Sequence, residues 1–230
     1  MNAKLVQKIE KYKGMTREEL AEKFKCQPEE ICMDDYVARN THDKVCPYKV
    51  ILGFANFEMS NVEDLGNLEI IFGRKLKNEC GDISDIKRVP LYLGLNLKNS
   101  NIKNLGKLRK VYGQIFFNKE IVSLDNIEFL GSNLYVSNTN IVSLGNLRII
   151  DGVLRIADDP KSSTLTSLES LEKVRYLDID TKTMFDIGEL QEIKKYKVSL
   201  RSNPSIKEML ERNFFINENN FIKKDNMIKN

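Results

Sequence analysis

Seven apolar triplets spaced i, i+3, i+6 recur along the chain, and they limit its fold more than any other feature. They are Leu65-Leu68-Ile71, Ile83-Ile86-Val89, Leu105-Leu108-Val111, Leu124-Ile127-Leu130, Leu144-Leu147-Ile150, Leu168-Leu171-Val174 and Ile187-Leu190-Ile193. Successive triplets begin 18, 22, 19, 20, 24 and 19 residues apart. Six runs of period two follow them: Leu95-x-Leu97, Ile115-x-Phe117, Leu134-x-Val136, Leu154-x-Ile156, Leu177-x-Ile179 and Val198-x-Leu200. Such alternation is the pattern of a strand with one buried face. Gly73, Gly113, Gly131 and Gly152 stand just before the runs, where a tight corner leaves no room for a side chain. A unit of roughly 20 residues cannot bury its own apolar groups, so each must stack on the next.

The spacing therefore predicts a repeat solenoid of α/β type. Equivalent strands pair in parallel along its axis, and the triplet segments return as loops or 3₁₀ turns with little regular helix. The unit Leu134–Gly152, with Leu, Val, Thr, Ile, Leu, Leu, Ile and Gly at the repeat positions, resembles the leucine-rich-repeat superfamily in its short, irregular bacterial and phage-type form. The likeness covers residues 52–201. It departs from the consensus at the corner Asn, which varies, and by an insertion near Asp158–Thr164. The resemblance implies protein–protein recognition. Short-repeat proteins of this kind occur in phages and mobile elements, so it also implies an inhibitor of a host complex as one form of that function.

Outside the repeat, residues 1–50 read as a helical N-terminal cap, 51–201 as the solenoid of about seven repeats, and 202–230 as a C-terminal cap helix and tail. Thr16 with Glu19 forms a capping box that starts one helix, and Gln27-Pro28-Glu29-Glu30 starts a second. This pair resembles a helix-turn-helix, and with Lys194, Lys195, Lys197, Lys223 and Lys224 it gives an alternative reading as a nucleic-acid-associated regulator. Glu29, Glu30, Asp34 and Asp35 on the second helix would repel phosphate. Cys26, Cys32, His42 and Cys46 form a Cys-x5-Cys-x9-His-x3-Cys set, of which only the last pair has zinc-like spacing; buried thiols explain the cysteines better. After Pro204, Ser205–Glu211 reads as a short helix.

Charged residues make up 30% of the chain but nearly cancel, leaving a net charge of +3, too little to argue for nucleic acid or an anionic membrane. The N-terminus lacks the apolar stretch of a secretory signal, and no run is long enough to span a bilayer, so a cytoplasmic protein with reduced cysteines is expected. Phosphate loops, nucleophile elbows and paired metal-ligand helices are missing, and the single histidine lies outside the repeats. No enzyme activity and no cofactor are expected. The expected partner is another protein, with nucleic acid only as part of a partner complex.

Residues lying between inward positions of each strand point outward, one per coil. That column is Asn96, Phe116, Tyr135, Arg155, Asp178 and Ser199, flanked by Lys98, Asn118, Ser137, Asp180 and Arg201. Two aromatics beside an arginine have the composition of an interface hot spot. Partner binding is accordingly expected at Asn96, Phe116, Tyr135, Arg155 and Asp178, with Lys98 and Arg201 at the rim.

Overall fold

A computed structural model describes residues 3–38, 43–75, 92–137, 139–157, 165–183, 186–216 and 222–224. It shows a parallel-sheet solenoid of about seven turns, with two helices at its N-terminal end and one at its C-terminal end. Every coil contributes to two rows of parallel pairs. The first row stacks Ile51, Ile71, Val111, Leu130, Ile150, Val174 and Ile193, each facing inward and each fully or almost fully buried. The second row joins Ala55, Leu95 and Ile115 in one block, and Leu134, Leu154, Leu177 and Tyr196 in another. Isolated bridges Val45 to Asp64, Ser123 to Ser143 and Ser167 to Asp186 mark a third side. The return segments, expected to be loops or 3₁₀ turns, thus carry a sheet row of their own. All three residues of each described triplet are buried, and the last of them is the one that sits in this row.

The third side turns by one device repeated six times. The side-chain oxygens of Asp64, Asn104, Ser123, Ser143, Ser167 and Asp186 each accept from the backbone N–H two residues on, at 2.8–3.1 Å. In these Asx and Ser turns the residue whose N–H donates is left-handed. At Gly145, with φ +56°, no Cβ opposes that conformation, and one placed there would lie 2.5 Å from the Asp125 carbonyl oxygen.

Membership of the coils differs from the sequence reading at one place. The triplet Ile83-Ile86-Val89 lies outside the described residues; Ile71 pairs directly with Val111 and Ala55 with Leu95. Arg74–Lys75 runs antiparallel against Tyr92–Leu93. A coil is gained upstream, where Cys46 takes the place of the first leucine and leads into Val50–Ile51; its N–H donates to the Asp64 carbonyl. The solenoid therefore starts within the segment assigned to the cap.

The N-terminal helices do more than close an end. α1 (Ala3–Lys13) and α2 (Arg17–Phe24) lie on the outer surface of the first row, where the outward residues Val50, Leu52, Phe72 and Tyr112 are apolar. Tyr12 and Phe24 meet Phe72 at 5.0 and 6.1 Å, and Phe72 stacks on Tyr112 at 5.0 Å. The capping box forms as expected, Thr16 and Glu19 exchanging bonds of 2.7 and 3.2 Å. The second expected helix is a single 3₁₀ turn, Pro28–Glu30, because Ile31–Cys32 pairs with Val50–Ile51 instead. The segment expected as the second helix of the pair is therefore turn and strand, and the helix that precedes α2 is α1.

At the far end, α3 (Pro204–Asn213) is capped by Asn203, whose side chain accepts from the Ser205 N–H at 3.1 Å. Ile206, Leu210 and Phe214 close the core there. Ile222–Lys224 pairs antiparallel with the last rung at Glu192–Ile193, covering part of the sheet edge. No helix among the described residues is long and apolar enough to cross a membrane.

Candidate protein-binding face

The outward column of the second row is a real structural row with corrected membership. Val37, Asn56, Asn96 and Phe116 are paired neighbours, as are Tyr135, Arg155, Asp178 and Lys197. The two blocks meet between Phe116 and Tyr135. Each of these lies five residues after paired first-row members, Val111 and Leu130, so they occupy the same place in adjacent coils about 4.8 Å apart.

Ser199 is not in the column; Lys197 is. In the last coil Tyr196 and Val198 face inward, and Leu200, expected inside, is fully exposed. Tyr196 lies three residues after Ile193, as Leu177 lies three after Val174, a spacing that the sequence already contained. Burial raises the Tyr196 hydroxyl pKa above its ordinary value.

The side chains along the column differ in how free they are. Asn96 is almost buried: it donates to Asn56 and Glu58 at 3.1 Å each, and it accepts from the Lys98 N–H. It belongs to the scaffold rather than the contact surface. Asn118, expected at the polar rim, is buried too, donating to Ser100 and to the Ile102 carbonyl at 2.7 Å. Phe116 is half-buried, with the Lys98 ammonium 4.9 Å from its ring centroid. Tyr135 is 36% exposed, and its hydroxyl accepts from Asn133 at 2.9 Å. Arg155 sits 3.6 Å from Asp178, and Arg201 2.7 Å from Asp180. The Ser199 hydroxyl and then Arg201 hold the Asp180 carboxyl below the usual range.

No family model, no curated protein and no solved structure matches the chain. What the face can do follows from its own chemistry.

The described cysteines sort into two places. Cys26 packs beneath the N-terminal helices, whereas Cys32 and Cys46 border the main core. His42 lies outside the described residues, and among those described no three His, Cys, Asp or Glu side chains converge on a metal position. The Cys32 thiol lies 3.3 Å from the Asp34 carbonyl. Burial pushes the Cys46 thiol up to about 11 from 9.0. The fold thus keeps the neutral thiol, while the unfolded chain ionises near pH 9. Stability from this group is complete below pH 9 and is lost as pH rises to 11, by about 3 kcal/mol over the interval. Urea midpoints measured from pH 8 to 11 should fall across that window; a flat profile contradicts the burial.

Proposed function

We propose that the chain is a non-catalytic, leucine-rich-repeat-like binding module that holds another protein against the outward face of its second row. Phe116 and Tyr135 are the contact centre, and Lys98, Arg155 and Arg201 surround them. One contrast carries the reading. The fold covers the outward aromatics of its first row, Phe72 and Tyr112, with two helices, but leaves Tyr135 the one exposed aromatic among the described side chains. The described C-terminal helix packs against the end of the core, not over this face. An exposed aromatic on a preorganised sheet loses little entropy on binding, which favours an interface anchor. An inhibitor from a phage or mobile element is one setting in which such a module would act.

The test is affinity capture with the purified chain as bait. One protein should be retained by the unaltered chain and weakened at least about ten-fold by Phe116→Ala with Tyr135→Ala, with thermal unfolding unchanged. An identical set of captured proteins from both baits would remove this face from the function.

A further inference from the structure

The charges on this face are asymmetric in a way that specifies the partner. Each carboxylate there already has a mate within the chain: Glu58 accepts from Asn96, Asp178 faces Arg155, and Asp180 binds Arg201. Lys98, Lys195 and Lys197 are exposed and have no carboxylate at ion-pair distance among the described residues. Lys98 rests over the Phe116 ring at one end, and Lys195 and Lys197 lie in the last coil at the other. Five coil steps separate them, about 24 Å, the length of an extended segment of about seven residues. Between the two cationic ends stand Phe116 and Tyr135.

We infer that the face takes an extended acidic protein segment, with carboxylates reaching Lys98 and the Lys195–Lys197 pair and an apolar side chain on Phe116 and Tyr135. This rests on the protein-binding reading above and adds the chemistry of the partner. A single-stranded nucleic acid also combines negative charge with groups that stack on aromatics. Here Asp178 and Asp180 interrupt the cationic track between Arg155 and Lys197, where a phosphate backbone would have to pass. A peptide places its charges only where they match and tolerates that interruption. The complementary fields also predict that association weakens as salt rises.

Fluorescence polarisation with three dye-labelled probes of about eight units each tests the assignment. The first is a peptide acidic at both ends with leucines at its centre. The second is the same peptide with lysine for every acid, and the third is oligothymidylate. The acidic peptide should bind the full chain best, weakening with salt. Its affinity should fall at least about ten-fold in Lys98→Glu/Lys195→Glu/Lys197→Glu and in Phe116→Ala/Tyr135→Ala. All five side chains are at least partly exposed, so both variants fold, which circular dichroism verifies. Equal binding by the lysine variant, or tighter binding of oligothymidylate, overturns the acidic partner. If the lysine-rich peptide wins and still depends on Phe116 and Tyr135, protein binding stands and only the charge assignment falls. Failure of protein binding itself is read separately, from the capture experiment.

Discussion

Leu147→Ala should lower the unfolding free energy by about 3 kcal/mol. Leu147 is fully buried in a central coil, between the equivalent Ile127 and Leu171 of its neighbours. Its N–H donates to the Leu144 carbonyl at 3.1 Å, closing the turn that aims it inward. Truncation leaves a cavity between rungs whose spacing is fixed by backbone hydrogen bonds on both sides, so little collapse can offset the loss. Leu200→Ala is the matched control. That leucine is fully exposed, so its removal should change stability by no more than about 0.5 kcal/mol. Urea denaturation of the two variants measures the difference. A cost above about 2 kcal/mol at position 200 would mean that the last strand is buried in the other register.

Gly152→Ala should cost about 2 kcal/mol or more and weaken partner binding as well. A Cβ at this position would lie 2.5 Å from the carbonyl carbon and oxygen of Ser132 and 2.8 Å from the Asn133 nitrogen. These are backbone atoms of the neighbouring coil and cannot swing aside. The site is also where the register of its strand shifts against the coil on its other side, Lys173–Asp180, between Ile150 and Val153. Asn133 ties this corner to the face: it accepts from the Val153 N–H at 2.9 Å and donates to the Tyr135 hydroxyl. Moving the corner therefore moves the aromatic. Gly14→Ala, where a Cβ finds nothing nearer than 3.6 Å, should leave both stability and binding near those of the unaltered chain. Thermal melts and the capture assay together check both effects.

The stacking and the inward positions were legible because a coil of fixed length repeats its apolar spacing wherever the interior repeats. The six described triplets sit where their spacing placed them, and the outward positions of Phe116, Tyr135 and Arg155 followed from period two. Several features were not legible, each for a physical reason. Local spacing does not say which rung pairs with which, and Ile71 pairs with Val111, 40 residues on. Cys46 fills a leucine position because a thiol behaves as a small apolar group, although it breaks the Leu and Ile pattern. Tyr196 packs its ring against the core where the period-two pattern pointed to Leu200. The place of α1 and α2 depends on the outward Leu52, Phe72 and Tyr112. These look like stray apolar residues until the coils are wound and bring them together.

Stacking of the coil that holds Glu69 directly on the one that holds Arg109 is the most exposed consequence of this winding, since 40 residues separate them in the chain. The Arg109 N–H donates to the Glu69 carbonyl at 2.9 Å, so Glu69→Cys with Arg109→Cys should form a disulfide under mild oxidation, found by mass spectrometry as one linked peptide pair. Glu69→Cys with Glu128→Cys, two coils apart, should not. Linkage of the second pair in preference to the first, or of neither, would contradict the parallel winding and with it the face that the winding builds.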